Sequence, residues 1–193
     1  MFSNYTIDSV GQFKLFVTGN VDLLNSSVAK SRFAVAGSRR ISKSGANWLK
    51  NFISQFNQNH IIVSGLALGA DSIAHRTALK CGIPQIAVLP SGFNNITPRS
   101  NIKLARDIVD NGGCLVSLLP PASGASRSSY IARNEVIAYL GHMLIVPEFN
   151  IKSGTRHTVD FARDFGRFII VNNSQSSGNQ FIINSNSYKT ITK

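Results

Sequence analysis

Short apolar runs alternate along this chain with longer segments whose apolar residues recur every three to four positions. The runs are Phe33-Ala34-Val35-Ala36, Ile61-Ile62-Val63, Gln85 to Leu89, Cys114-Leu115-Val116, Met143 to Val146 and Phe168 to Val171. Apart from Gln85 they are continuously apolar, not alternating, as strands buried on both faces are. Between them, Trp48, Leu49, Phe52, Ile53 and Phe56 share one helical face. Ile73, Ala74, Ala78 and Leu79 share a second, stopped by Cys81-Gly82-Ile83-Pro84. Ile102, Leu104, Ala105, Ile108 and Val109 mark a third, ended by Asn111-Gly112-Gly113, and residues 131–140 and 155–165 supply two more. This alternation predicts an α/β fold: a single-domain, Rossmann-like, doubly wound and mostly parallel sheet with helices on both faces. Right-handed crossovers bring the carboxyl ends of parallel strands to one edge. Ligands of such sheets bind there, where the strand order reverses. The order itself cannot be read from the sequence.

Residues 1–30 read as a lead-in segment, with Leu15-Phe16-Val17 as a short strand ended by Gly19-Asn20, and residues 31–193 as the Rossmann-like domain. The tail from Asn172 is rich in Ser and Asn, with one apolar run at Phe181-Ile182-Ile183.

The charge is lopsided because acids are scarce: 20 Lys and Arg face 9 Asp and Glu, a formal net charge of +11. Such a balance sets up a positive field that attracts polyanions, nucleic acid foremost. No apolar run approaches the ~20 residues that span a bilayer. No charged-then-apolar leader opens the chain, so a cytoplasmic protein without membrane contact is expected. Cys81 and Cys114 are isolated in separate elements. They offer neither a metal-ligand spacing nor a disulfide framework, and both are expected to be small buried apolar residues.

The loops after the strands carry the chemistry. After the first comes Gly37-Ser38-Arg39-Arg40, and after the second Ser64-Gly65-Leu66-Ala67-Leu68-Gly69-Ala70-Asp71. After the third comes Pro90 to Asn95, with Arg99 and Asn101 ahead of the next helix, and after the fifth Lys152-Ser153-Gly154-Thr155. Small residues let backbone approach a ligand closely, and amides at a helix N-terminus favour an anion. Arg39 adds a planar cation suited to phosphate. Tyr130, Arg133 and Asn134 open the helix after the loop 120–129. Tyr130 can stack on a base, and Arg133 and Asn134 can hold a phosphate. The phosphate-binding candidates are therefore Gly37, Ser38, Arg39, Ser64, Gly65, Gly69, Arg99, Tyr130, Arg133, Asn134, Lys152, Ser153, Gly154 and Thr155.

No Gly-Lys-Ser/Thr triplet closes a Walker A loop, and no Gly-x-Gly-x-x-Gly fingerprint is present. Triphosphate hydrolysis and NAD binding are disfavoured, and no cofactor is expected. Asp71 and His75 lie four apart on one predicted helix and share a face. That spacing could suit acid–base work, but their expected role is structural, a hydrogen bond that fixes the preceding loop. Glu148, at the same edge, has no evident carboxylate partner, and His60, His142 and His157 are scattered.

The run Ser64-Gly65-Leu66-Ala67-x-Gly69-x-Asp71-x-x-Ala74-His75 resembles the signature of the DNA-processing protein A family, also called DprA or Smf. Gly37-Ser38-Arg39, Ala87-Val88-Leu89, Pro98, Asn101, Arg133-Asn134-x-x-Ile137-Ala138 and Ser153-Gly154-Thr155 extend the match, as do Leu15-Phe16, Gly19-Asn20 and Leu23-Leu24. The resemblance implies an extended Rossmann fold, often dimeric, that binds single-stranded DNA and loads the RecA recombinase during natural transformation. It also implies a strand pocket built from Gly37, Ser38 and Arg39, the segment of Arg133 and Asn134, and basic residues nearby such as Lys152. Three positions depart from the family pattern: Glu135 stands where Arg is usual, Leu68 where a base is common, and Leu118 where an acid is common. Loss of cations and gain of a carboxylate predict weaker phosphate binding.

The expected function is thus a single-stranded DNA-binding protein that performs no covalent chemistry. The alternative is a nucleotide sensor or phosphoribohydrolase-like enzyme of the wider superfamily. Those enzymes resemble this fold but carry a Pro-Gly-Gly-x-Gly-Thr loop with acidic and arginine catalysts, where this chain has Lys152-Ser153-Gly154-Thr155.

Overall fold

The computed structural model describes residues 2, 4–25 and 30–193, so residues 1, 3 and 26–29 of the lead-in lie outside the described part. The strands are β1 (Thr6–Val10), β2 (Phe13–Gly19), β3 (Ser31–Val35), β4 (His60–Ser64), β5 (Gln85–Leu89), β6 (Cys114–Ser117), β7 (Met143–Val146), β8 (Phe168–Val171) and β9 (Thr190–Thr192). The α-helices are α1 (Lys43–Ile53), α2 (Ala70–Lys80), α3 (Ile102–Asp110), α4 (Arg127–Leu140), α5 (Thr155–Asp164) and α6 (Ser177–Ile183). Among the described residues the strands form one sheet in the order β1-β2-β6-β5-β4-β3-β7-β8-β9. From β6 to β9 every pairing is parallel. The hairpin of β1 and β2 joins antiparallel through β2 on β6, so the lead-in shares the sheet.

The expected Rossmann-like α/β architecture is therefore what the chain adopts. All six predicted strands form, and Leu15 to Val17 lies within β2. Two edge strands were not anticipated. β1 is mostly polar, and β9 is only three residues long. The apolar run Phe181 to Ile183 ends α6.

Residues on one strand point alternately to opposite faces, and the two cores divide accordingly. Ala34, Ile61, Val63, Ile86, Val88, Leu144 and Val146 pack with α4, α5, α6 and the hairpin residues Leu15 and Val17. On the other face, Val35, Ile62 and Ile145 pack with Leu49 and Ile53 of α1 and Ala70, Ala74 and Ala78 of α2. Ala87, Leu89 and Leu115 pack with Leu104, Ala105 and Ile108 of α3. Continuous apolar strands are required because both faces are covered.

The cysteines part company. Cys114 is buried, and burial pushes its thiol up to about 12. Cys81 is exposed, contrary to expectation, because it caps the end of α2 with its N–H on the Thr77 and Ala78 carbonyls.

The strand order positions the site. The chain steps outward from β3 through β4 and β5 to β6, then returns to lay β7 on the other flank of β3. Successive helices then leave β3 and β7 on opposite faces, and a crevice opens between their carboxyl ends. The α1 face is tested most simply at Leu49, which is fully buried. We expect Leu49→Ala to cost about 2–5 kcal/mol in chemical denaturation, through lost burial and the cavity left behind.

Candidate functional site

A cleft of about 630 Å³ occupies this crevice. Its lining includes Gly37, Ser38, Arg39, Arg40, Tyr130, Arg133, Asn134, Lys152, Ser153, Gly154 and Thr155, with Arg127, Asn150, His157 and Asp71. The loops after β3 and β7 and the first turns of α4 and α5 supply it, as the strand reversal dictates.

Backbone bonds hold those loops together. Ser38 donates its N–H to the Glu148 carbonyl at 2.7 Å, and Ala70 donates its own to the Ser38 carbonyl at 3.1 Å. Thr155 Oγ1 donates to the Gly37 carbonyl at 3.1 Å, and Asn134 Nδ2 to the Gly154 carbonyl at 3.2 Å. The Ser38 hydroxyl accepts from the Arg40 N–H at 3.0 Å. Gly37 is obligatory, since a Cβ there would stand 2.8 Å from the Ala70 Cβ and 3.1 Å from the Glu148 carbonyl.

Arg133 and Asp71 lie against the base of the cleft. Arg133 is 5 % exposed, and its Nη1 lies 3.7 Å from Asp71 Oδ2. Burial pushes Arg133 down from its ordinary value, and the adjacent Asp71 carboxylate opposes that shift. Asp71 Oδ2 also accepts from the Gly65 and Ala67 amides at 3.2 and 3.3 Å. Asp71 thus fixes the loop after β4, as its helical position suggested, but not through His75. His75 is fully buried and pairs through Nδ1 with the Gln85 carboxamide at 2.8 Å. Leu66 holds φ at 56°, in the left-handed region, with its carbonyl bonded by Asn101 Nδ2 at 2.9 Å.

The Arg39 and Arg133 guanidinium carbons lie 5.4 and 5.8 Å from the centroid of the Tyr130 ring. Cations at that range are attracted by the ring's π face. Two buried polar atoms of the lining, Arg133 Nε and Ser153 Oγ, have no hydrogen-bond partner. Buried donors are rarely left so.

Ten of the phosphate-binding candidates thus meet in one cleft: Gly37, Ser38, Arg39, Tyr130, Arg133, Asn134, Lys152, Ser153, Gly154 and Thr155. Four do not line it. Ser64 is fully buried and donates its hydroxyl to the Val35 carbonyl at 2.8 Å. Gly65 lies beneath Arg133, where a Cβ would fall 1.2 Å from Nη1, so its small size makes room for the guanidinium and not for a ligand. Gly69 starts α2 at φ 74°, close against the Ser38 and Arg39 carbonyls. Arg99 is exposed on a 3₁₀ turn after β5, outside the cleft. The sequence reading passed over Arg127, Asn150 and His157. Arg127 sits in the first turn of α4, beside the Ser126 cap that marks this helix start.

Glu148 is committed elsewhere, accepting from Ser42 through both the backbone N–H at 3.2 Å and the side-chain hydroxyl. Among the described residues no group of His, Cys, Asp and Glu could hold a metal ion. None of their helices is long and apolar enough to cross a membrane.

The sequence profile of the DNA recombination-mediator protein A family matches residues 9–192. The chain belongs to that family. It is 37% identical over 153 residues to the DNA processing protein DprA of Streptococcus pneumoniae, covering 79% of this chain and 52% of that one. It is 34% identical over 175 residues to the protein Smf of Escherichia coli, covering 88% and 46%. It thus spans about half the length of these curated relatives. Among solved structures, the Streptococcus pneumoniae DNA processing protein A matches all of this chain and 72% of its own, with TM-score 0.87 and 29% identity. A Helicobacter pylori homologue described for its single-stranded DNA binding matches with TM-score 0.87 over 97% and 91% of the two chains. At 24% identity that likeness speaks for the shared fold.

The site carries two tests. Asp71→Asn removes the charge beside a buried guanidinium, and we expect a loss of about 3–5 kcal/mol in denaturant unfolding. His75 is held neutral by burial, its pKa lowered from 6.5. The unfolded chain therefore binds the extra proton. His75's contribution is complete above about pH 6.5 and falls away as the medium is acidified below it. A His75→Gln variant should flatten that acid limb by up to about 1.4 kcal/mol per pH unit, measured as unfolding free energy between pH 7 and 5.

Proposed function

We propose that the cleft between β3 and β7 holds single-stranded DNA by its sugar–phosphate backbone, without covalent chemistry. One observation carries the reading: the cleft is lined by Arg39, Arg40, Arg127, Arg133 and Lys152, while its one carboxylate, Asp71, is already engaged by Arg133 and two amides. Its cationic side is therefore left for a ligand. A polyanion meets that chemistry, because guanidinium and ammonium groups form charge-assisted hydrogen bonds to phosphate oxygens. Tyr130 offers an aromatic face for a base, which an unpaired strand exposes and a duplex hides. Family membership points the same way, toward recombination. We extend the proposal to transfer of the held strand to a RecA-type recombinase and to pairing of two copies of the chain.

The commitments of Asp71 and Glu148 favour binding over phosphoribohydrolase-like turnover. Both carboxylates are spent on loop amides or hydroxyls, and Asp71 is the one acid among the described residues that line the cleft.

Backbone contacts carry no base code. We expect Arg39→Ala to weaken oligonucleotide binding alike for all sequences. The log–log salt slope should lose about 0.7 per phosphate contact removed. Fluorescence titration of single-stranded and duplex oligonucleotides at two salt concentrations measures both. Equal affinity for strand and duplex, or wild-type affinity in Arg39→Ala at moderate salt, would overturn the assignment.

A further inference from the structure

Parallel strands have two ends, and the end away from the cleft carries a second cationic cluster. Arg32 is the second residue of β3, His142 directly precedes β7, and Arg167 directly precedes β8. All three line a separate pocket of about 550 Å³, together with Tyr139, Asp8 and Asp22. That is ample for a small organic ligand, whose pockets run from roughly 300 to 1,000 Å³.

The two guanidiniums are only partly used by the fold. Arg32 Nη1 donates to the Leu23 and Leu24 carbonyls at 3.4 and 3.2 Å. Arg167 Nη2 donates to the Tyr139 carbonyl at 2.9 Å. Nε of each is buried with no hydrogen-bond partner. No carboxylate of the described residues lies within 4 Å of either, although Asp8 and Asp22 share the pocket. The arginines feel each other: burial first, and then the charge of Arg167, push Arg32 down. Burial, Arg32 and Arg167 push His142 down as well, so its ring stays neutral while Nδ1 accepts the Arg32 N–H at 3.2 Å.

Two half-buried forks without a carboxylate counter-ion match a tetrahedral dianion. A phosphate monoester presents several acceptor oxygens and a charge of about −1.5 to −2 at neutral pH, and guanidinium forks grip such oxygens in pairs. The acids argue for a small ligand. Asp22 is exposed at the mouth and Asp8 half-exposed, so an extended polyanion threading the pocket would pass both. We infer that the pocket at the amino-terminal ends of β3, β7 and β8 is a second anion site. It takes a phosphate monoester of mononucleotide size, separately from the strand cleft.

The test titrates inorganic phosphate and deoxyadenosine 5′-monophosphate into the full chain. It follows the ring signals of His142 by NMR and the thermal midpoint, in wild type and in Arg39→Gln, Arg32→Gln and Arg167→Gln. The expected result is a saturable shift of the His142 signals and a raised midpoint. Both should persist in Arg39→Gln and weaken by about tenfold in Arg32→Gln and Arg167→Gln, the scale of one lost charge-assisted bond. If the glutamine variants do not fold, Arg167→Lys keeps the charge but loses the fork and should still weaken binding, and the wild-type His142 titration stands by itself. His142 signals that do not move overturn the site. So does a response lost in Arg39→Gln but kept in Arg167→Gln, which places the phosphate in the cleft alone. An oligonucleotide lacking terminal phosphate that shifts His142 as strongly as the monophosphate overturns the ligand class. Because Arg39 and Arg167 lie in different pockets, failure here leaves the strand-binding reading untouched, and the reverse also holds.

Discussion

β3 is flanked on both sides by parallel strands that the chain reaches by opposite routes. β4 follows it directly, while β7 arrives only after the sheet has been extended outward to β6 and the chain has crossed back. Right-handed crossovers then leave no choice about the helices: those following β3, β4 and β5 cover one face, and those from α4 onward the other. The backbone is therefore forced apart above β3 and β7. The loops that bridge this parting, residues 37–42 and 147–155, bond to each other through Ser38 and Glu148 and through Thr155 and Gly37. The cleft is a consequence of the winding, and those cross-loop bonds tie its two walls together.

Within that geometry, charge is placed asymmetrically in depth. Burying Arg133 costs desolvation, and the Asp71 carboxylate with its two amide donors offsets that cost. The arrangement sets a buried guanidinium at the base of the cleft, while Arg39, Arg40, Arg127 and Lys152 are exposed. The positive charge of the cleft is thus divided between a buried base and a solvent-exposed rim.

The periodicity of the chain made the fold class readable, because a doubly covered parallel sheet needs unbroken apolar strands and those runs are conspicuous. β1 escaped because Thr6-Ile7-Asp8-Ser9-Val10 lies at a sheet edge, where one flank and much of one face are solvated and the apolar signature is diluted. The loops were readable as sites because the topology gathers them at one edge whatever the strand order. What sequence could not distinguish was why a small residue is small. Gly37 and Gly65 look alike in their loops. One lines the cleft, and the other clears the space occupied by a side chain sixty-eight positions further on. That difference is tertiary and leaves no local mark. Arg40 and Arg127 look like ordinary surface cations until the cleft that they line is closed by folding.

The departures from the family pattern bear on the same geometry. Glu135 replaces a customary arginine, and a carboxylate beside the strand would repel it. The residues of α4 that line the cleft are Arg127, Tyr130, Ile131, Arg133, Asn134 and Ile137, a stripe from which position 135 is turned by about 100° relative to Asn134. Glu135 instead accepts a bond from the Gln12 side chain at 3.2 Å, on the β1–β2 hairpin. Leu68 is 47 % exposed and likewise outside the lining, and Leu118 packs against the larger core. The three substitutions fall around the cleft and not within it. The cationic lining of the cleft is left intact, and what changes is the charge on the surface around it. Charge around a binding surface acts chiefly on the rate of encounter with a charged partner, whereas buried contacts act on how long a partner stays.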